Sequence, residues 1–168
     1  TEQVEIIKKI TDHNEKYYPA LIQGVTGSGK TEVYIEIIKS VLAKGRSALY
    51  LVPEIGLTPQ TLSRLNHHFE NQLLVYHSGL TNNQRLDQWQ KCLEDKPQVM
   101  VGTRSALFAP FRNLGAIVID EEHDYSYKQE ERFRYHARDL ALVRAKFWNI
   151  PIVMGSATPS LESVSYTH

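Results

Sequence analysis

Short apolar segments alternate along this chain with longer segments in which apolar residues recur every three or four positions. The short segments are rich in Val, Ile and Leu, as buried strands are, and predict strands at residues 21–23, 48–52, 73–77, 99–101, 117–120 and 152–154. The longer segments have the spacing of amphipathic helices and predict helices at residues 3–12, 30–43, 59–69, 82–94 and 137–147. Strands that alternate with helices favour an α/β fold in which helices cover both faces of a parallel sheet.

Residues 121–136 interrupt this alternation. The segment is polar and aromatic and shows neither the period of a strand nor that of a helix, so it predicts a long loop. Loops of this length within a compact domain are usually functional or disordered. Elsewhere the ends of elements are marked, as at Thr81, which predicts the start of a helix.

The length and charge of the chain limit its organisation. Its 168 residues suffice for one hydrophobic core, so we expect a single domain over residues 1–168. The 19 Lys and Arg balance 19 Asp and Glu, and 42% of the residues are hydrophobic, which excludes a basic tail and a disordered acidic chain. Because the sequence opens on Thr1 and stops without a terminal turn, we expect a fragment of a longer protein.

The single cysteine, Cys92, cannot form an internal disulfide or a cysteine-rich zinc site, so no zinc is predicted. We expect Cys92 to be a surface or half-buried residue. No apolar run approaches the roughly 20 residues that span a bilayer, and the first ten residues are too charged for a signal peptide. The sequence therefore predicts a cytoplasmic protein with no membrane partner.

Residues 24–31 read GVTGSGKT, the pattern of a phosphate-binding loop, between a predicted strand and a predicted helix. Backbone N–H groups must wrap around the phosphates, which favours residues without Cβ, and the positive end of the next helix adds to the attraction. We expect Lys30 to reach the phosphates of ATP or ADP and Thr31 to offer its hydroxyl to Mg²⁺. The other predicted nucleotide-binding residues of the loop are Gly24, Thr26, Gly27, Ser28 and Gly29. The alternative is a glycine-rich turn.

Residues 116–123 read AIVIDEEH, an apolar strand that ends in three carboxylates. In a parallel sheet the carboxyl ends of the strands are where ligands bind. We therefore expect Asp120 to hold Mg²⁺ and Glu121 to orient and deprotonate the attacking water, with His123 beside them. A solvated helix start is the alternative.

Residues 155–158 read GSAT and follow another predicted strand. The hydroxyls of Ser156 and Thr158 are placed to hydrogen-bond the acidic cluster and to sense the γ-phosphate. Such residues at a junction between strand and helix are often only helix caps.

Residues 125–135 are rich in aromatic rings and cations. Rings on which bases stack, together with cations for phosphates, are what single-stranded nucleic acid requires. The alternative is that the rings anchor a long loop to its own domain. Residues 53–60 and 102–111 also follow strands and either grip a phosphodiester backbone or simply connect elements. The predicted DNA-binding residues are Thr103, Arg104, Tyr127, Lys128, Arg132, Phe133, Arg134 and Tyr135.

The phosphate loop, PEIGLTPQ, GTRSALF, DEEH and GSAT together resemble the first motor lobe of a superfamily 2 helicase. The longer strings VPEIGLTPQT, VGTRSALFAPF, IVIDEEHDYSYKQEE and RYHARDLA are similar to those of the bacterial primosomal replication-restart DNA helicases. The resemblance covers nearly the entire chain. It implies a single RecA-like lobe with the P-loop NTPase fold, which binds ATP within a 3′ to 5′ DNA helicase that acts in replication restart and primosome assembly.

The resemblance also implies roles and partners. Gln3 resembles the upstream glutamine whose amide reads adenine, and residues 126–139 resemble an aromatic-rich loop that links single-stranded DNA binding to ATP hydrolysis. Phe133 stands where some relatives have Trp. The implied partners are single-stranded and forked DNA, a second motor lobe and DNA-binding domains of the parent chain, primosome proteins and single-strand-binding protein, in the nucleoid of a bacterium. By matching position, Lys30, Asp120, Glu121 and His123 are catalytic, and His123, Ser156 and Thr158 couple hydrolysis to movement.

The family's N-terminal DNA-binding regions, its zinc insertion and its second lobe, with the arginines that complete the ATP site, are not found in these 168 residues. We therefore expect almost no turnover from this lobe alone. The alternatives are a nucleotide- and DNA-binding module without turnover, and a small nucleotide kinase, against which the DEEH and GSAT motifs stand.

Overall fold

A six-stranded parallel sheet lies between two layers of helices in this computed structural model, which describes residues 2–13, 15–24 and 29–157. The strands are β1 (Tyr18–Gln23), β2 (Ser47–Leu51), β3 (Leu73–Tyr76), β4 (Val99–Gly102), β5 (Leu114–Ile119), β6 (Lys128–Gln129), β7 (Tyr135–His136) and β8 (Pro151–Ser156). The helices are α1 (Glu2–Thr11), α2 (Lys30–Ala43), α3 (Pro59–Phe69), α4 (Asn82–Cys92) and α5 (Ala137–Trp148). The sheet order is β1-β8-β5-β2-β4-β3, with every pair parallel, and the predicted α/β fold is confirmed.

Two hydrophobic clusters fill the space between the sheet and its helices. The central strand β5 is buried along its whole length, because a strand inside a parallel sheet contacts helices on both faces. Alternate residues of β2 point to opposite faces. Leu49 and Leu51 pack with residues of α4 and α5, whereas Ala48 and Tyr50 pack with residues of α1, α2 and α3.

The helix ends carry the signals that the sequence predicts. Thr81 accepts a hydrogen bond from the backbone of Gln84, whose side chain accepts one from the backbone of Thr81, so a capping box starts α4. Asn149 ends α5 with a left-handed φ of 54°. Within the described ranges no helix has the length and apolar character to cross a membrane.

Three neighbouring strands bring distant parts of the sequence to one edge of the sheet. β8 lies between β1 and β5, and Gln23 at the end of β1 pairs with Ser156 at the end of β8. Gly24 and Asp120 directly follow β1 and β5. All of these residues therefore meet at the carboxyl edge, where open α/β sheets bind ligands.

The segment 121–136 is more ordered than the sequence predicts. A 3₁₀ turn at Tyr125–Tyr127 leads into β6, which pairs antiparallel with β7. We call β6, β7 and the connecting residues 130–134 the ribbon. Strands of two residues are too short to show a period, which is why the sequence pattern predicted only a loop.

The prediction that Cys92 is a surface or half-buried residue was wrong. Its side chain is 1% exposed and packs in the cluster between the sheet and α5. Burial raises the pKa of the thiol to about 12. A buried free cysteine behaves as a small hydrophobic residue.

Candidate functional site

The phosphate-loop segment is fixed at both of its ends. The backbone nitrogen of Gly24 donates to the carbonyl of Ser156 at 3.2 Å, which holds the start of the segment against β8. Gly29, just before α2, has a φ of 89°, and a Cβ there would overlap the side-chain amide of Gln3. Glycine is therefore required at position 29. Thr26, Gly27 and Ser28 lie outside the described residues, so their phosphate contacts stay predictions.

Lys30 is the first residue of α2 and is 8% exposed. Its ammonium donates to the carbonyl of Gly24 at 2.6 Å and to Oε1 of Glu121 at 3.3 Å. This ammonium is therefore largely shielded from solvent. A cation at this depth is stabilised only when nearby acceptors replace its water, and the loop backbone and the acidic motif supply them.

Asp120 lies where β5 ends, and its backbone nitrogen donates to the carbonyl of Leu51 at 2.9 Å. Burial and, secondly, the charge of Glu121 raise the pKa of Asp120. A hydrogen bond from the Tyr34 hydroxyl, at 3.1 Å, and the charge of Lys30 oppose these effects without cancelling them. Ionisation of the Asp120 carboxyl therefore costs free energy, and a bound cation would reduce that cost.

Thr31 lies on the first turn of α2 and is half-buried. Its side chain lies near the Tyr50 hydroxyl, and the rings of Tyr50 and Tyr34 meet edge to face at 5.7 Å. Burial raises the pKa of both tyrosines, so their hydroxyls stay protonated. The two tyrosines thus connect Thr31 and Asp120, the two predicted magnesium residues.

Glu121 adopts a positive φ of 47°, which is unfavourable for a residue with a Cβ and is typical of functional sites. Its Oε2 lies 3.8 Å from Nε2 of His123, and Nδ1 of His123 lies 2.7 Å from Oγ of Ser156. The predicted hydrogen bond between the GSAT and acidic motifs is therefore present. Thr158 lies outside the described residues, and the coupling roles stay predictions.

Glu122 and Arg138 form a buried ion pair that the sequence analysis missed. They are 0% and 6% exposed, and Nη1 of Arg138 donates to Oε2 of Glu122 at 3.4 Å. The backbone nitrogen of Glu122 also donates to the carbonyl of Gly155 at 3.0 Å. The pair ties the acidic motif to the start of α5 and to β8.

A small cavity of about 130 Å³ lies beside Gln3. The side chain of Gln3, on α1, contacts the turn at Gly29. Its role stays a prediction. The lining residues are Gln3, Ile6, Ile22, Gln23, Gly29, Lys30 and Val33.

The loop after β4 is fastened to the start of the ribbon. Nη1 of Arg104 donates to the carbonyls of Ser126 at 3.2 Å and Lys128 at 2.7 Å. Tyr127 is 0% exposed and Thr103 6% exposed. Tyr127 presents no surface to a ligand, so the prediction that it contacts DNA was wrong. Thr103 keeps a little exposed surface, and its contact with DNA stays a prediction. Tyr127 instead anchors the turn to the domain, as the alternative interpretation of the aromatic residues had it.

Three aromatic rings form a row along the ribbon and the neighbouring loop after β4. Phe108 meets Tyr135 edge to face at 5.3 Å, and Tyr135 meets Phe133 at 6.1 Å. Phe108 and Phe133 are 46% and 71% exposed, and Arg132 and Arg134 are exposed beside them. Phe108 was not predicted, although it lies in the GTRSALF string. A groove of about 430 Å³ lies on the ribbon and is lined by Lys128, Gln129, Glu130, Arg134, Tyr135 and His136.

The sheet order and the phosphate-loop and acidic motifs define the class of RecA-like nucleotide-binding lobes. A family profile described as DEAD/DEAH box helicase matches residues 1–166, and the chain belongs to this family. The Replication restart protein PriA of Haemophilus influenzae is 56% identical over 145 residues, which are 86% of this chain and 20% of that protein. The Replication restart protein PriA of Bacillus subtilis is 52% identical over 159 residues, which are 95% of this chain and 20% of that protein. The chain spans about a fifth of the length of these relatives.

Solved structures confirm the RecA-like fold. RecG bound to a three-way DNA junction has a TM-score of 0.71 and 23% identity, over 98% of this chain and 22% of that chain. A hypothetical ATP-dependent RNA helicase from Sulfolobus tokodaii has a TM-score of 0.68 and 16% identity, over 98% of this chain and 47% of that chain. At these identities the similarity concerns the fold alone.

Proposed function

We propose that this chain is the ATP-binding motor lobe of an ATP-dependent 3′ to 5′ DNA helicase that acts in replication restart and primosome assembly. One observation supports this most directly: the buried ammonium of Lys30 joins Gly24 of the phosphate loop to Glu121 of the acidic motif, 91 residues after Lys30. A cation held between a loop backbone and an acid is arranged to exchange these partners for nucleotide phosphates. The proposed role in replication restart is based on the relatives, whose name refers to this process.

In the bound state Lys30 contacts the β- and γ-phosphates, and Glu121 orients and deprotonates the attacking water. Thr31 and Asp120 would hold Mg²⁺, which neutralises phosphate charge when bound. The residues fit this ion, because hydroxyl and carboxylate oxygens suit Mg²⁺ and burial disfavours the lone charge of Asp120. His123, through its contact with Ser156, couples the state of the nucleotide to β8.

The exposed ring row formed by Phe108, Tyr135 and Phe133 is the proposed contact for single-stranded DNA. Rings spaced 5 to 6 Å apart present edges and faces to unstacked bases, and Arg132 and Arg134 supply cations for phosphates. The groove on the ribbon runs beside this row. Forked DNA would reach the lobe through its single-stranded part.

The remaining partners belong to the whole protein. A second motor lobe would add the arginines that complete the ATP site, and further domains of the parent chain would bind the duplex. Primosome proteins and single-strand-binding protein are the proposed protein partners, in the cytoplasm at the nucleoid. Because arginines of this kind commonly supply about 10³- to 10⁵-fold in rate, we expect the lobe alone to bind nucleotide with turnover near background.

A steady-state ATPase assay, with and without single-stranded DNA, tests this proposal on the lobe and on the full-length parent. We expect DNA to stimulate the parent and the lobe to remain near background. A parent that binds nucleotide but never turns over would reduce the function to a binding module. Phosphoryl transfer to an added nucleoside monophosphate would indicate a kinase instead.

Removal of exposed rings tests the DNA surface. In the parent, Phe133→Ala and Phe108→Ala should each weaken binding of a labelled single strand about 5- to 150-fold in fluorescence anisotropy, since each stacked base contributes about 1–3 kcal/mol. Phe147→Ala is the matched control, because Phe147 is 85% exposed near the end of α5. Equal affinities for all three variants would refute the stacking role.

A further inference from the structure

Three buried tyrosines lie beneath the candidate magnesium residues, and the proposed function does not use them. Tyr34, Tyr50 and Tyr127 are at most 1% exposed, and they are the fully buried tyrosines of residues 2–13, 15–24 and 29–157. They come from three separate elements, α2, β2 and the 3₁₀ turn before β6. The local sequence pattern gives no sign that these tyrosines lie close together. Only the tertiary structure places them there.

Two of the three hydroxyls bond Asp120. Tyr34 donates to Oδ1 of Asp120 at 3.1 Å, and Tyr127 donates to the backbone carbonyl of Asp120. The hydroxyl of Tyr50 lies near the side chain of Thr31. Asp120 is therefore held from α2 and from the ribbon side.

Phenylalanine would fill the same space without burying a hydroxyl, which costs free energy unless a partner satisfies it. Buried hydroxyls can be satisfied by any nearby carbonyl, yet those of Tyr34 and Tyr127 both converge on Asp120. β8 also makes room for one of them, because a Cβ at Gly155 would overlap the hydroxyl of Tyr34. Packing alone does not require this convergence.

We propose that Tyr34 and Tyr127 are positioning residues that hold the carboxylate and the backbone of Asp120 in place toward the Mg²⁺ of a bound nucleotide. This rests on the proposed function. The two tyrosines do not touch nucleotide or metal themselves. They hold the residue that does, and removal of such supporting hydrogen bonds typically costs about 10- to 100-fold in metal affinity or activity.

The experiment compares Tyr34→Phe and Tyr127→Phe in the full-length parent, each of which removes one oxygen and keeps the ring. Binding of a non-hydrolysable ATP analogue is measured by calorimetry without Mg²⁺ and then over a series of Mg²⁺ concentrations. We expect Mg²⁺-free affinity within about twofold of the wild type, and a half-saturating Mg²⁺ concentration raised about 10-fold or more. Tyr76→Phe is the control, since Tyr76 packs against Trp89 at the end of β3.

Two results would overturn the inference. Variants that lower the melting temperature but keep the Mg²⁺ dependence of Tyr76→Phe would show that the tyrosines only pack. If the wild type bound the analogue no more tightly with Mg²⁺, and Lys30→Met did not weaken binding, the proposed function would fail and the inference with it. Should one variant not fold, the other decides the question, because each of the two hydroxyls has its own bond to Asp120.

Discussion

Replacing Lys30 with Met separates the charge of the side chain from its packing. Met keeps an apolar stem in the 8% exposed position and removes the ammonium. A hydrogen bond to a charged group contributes about 1.5–3 kcal/mol, so nucleotide affinity should fall about 10- to 150-fold. The empty protein should also lose stability, because the carboxylate of Glu121, 3.3 Å away, loses its cation.

The stability loss should be small. A buried polar group that loses its partner costs about 1–3 kcal/mol of stability. The cost for Glu121 should be near the lower of these values, because its side chain is 28% exposed and reaches water. At about 2–4 °C per kcal/mol, the melting temperature should drop by only a few degrees. Calorimetric titration with ADP and Mg²⁺, together with thermal unfolding of the free protein, measures both effects.

Two further variants sharpen this test. Adding Glu121→Gln to Lys30→Met removes the orphaned charge and should restore stability without restoring affinity. Lys39→Met is the matched control on the same helix, since Lys39 is 42% exposed and pairs with Glu36 at the surface. Wild-type affinity in Lys30→Met, or a large loss of stability that Glu121→Gln does not relieve, would refute the reasoning.

Three other substitutions or reagents probe the fold around the site. Asp120→Asn should raise the free energy of unfolding at pH 7, because burial raises the folded-state pKa of Asp120 and its ionisation therefore opposes folding. Urea titrations measure the difference in stability between variant and wild type. This difference should vanish below about pH 4, where the wild-type carboxyl is protonated in both the folded and the unfolded state. Cys92, with its pKa of about 12, should resist a thiol reagent in the native protein and react on unfolding, and rapid native labelling would contradict its burial. Gly155→Ala should cost about 1–3 kcal/mol through overlap with Tyr34, and unchanged stability would show that the hydroxyl has room to move.

Helices were predicted more accurately than strand ends. The predicted bounds of α2 and α3 match the structure, because their apolar positions repeat over several turns and Thr58 caps the start of α3. β1 was predicted at residues 21–23 but begins at Tyr18, and β5 was predicted at 117–120 but spans Leu114–Ile119. Pairing decides those ends: Tyr18 joins the sheet because it lies opposite Pro151 of β8.

The candidate site was predicted in part. Lys30, Asp120 and Glu121, to which the proposed chemistry is assigned, stand in short strings that the sequence displays directly, and they lie together in the structure. Tyr34 and Tyr127 look like ordinary helix and loop aromatics in the sequence, so Tyr34 was passed over and Tyr127 was assigned to DNA. Glu122 and Arg138 gave no signal, because a buried ion pair is recognised only when both partners are known to be buried.

The order of apolar and polar residues was enough to determine the α/β class, the helices and the motifs at the ends of strands, because these depend on neighbours within about ten positions. The tertiary structure alone decided that Lys30 is buried against Glu121, that Phe108 joins the ring row, and that tyrosine hydroxyls converge on Asp120. Those contacts join elements separated by the crossovers of a parallel sheet. Their geometry follows from strand order and register, which local periodicity does not encode.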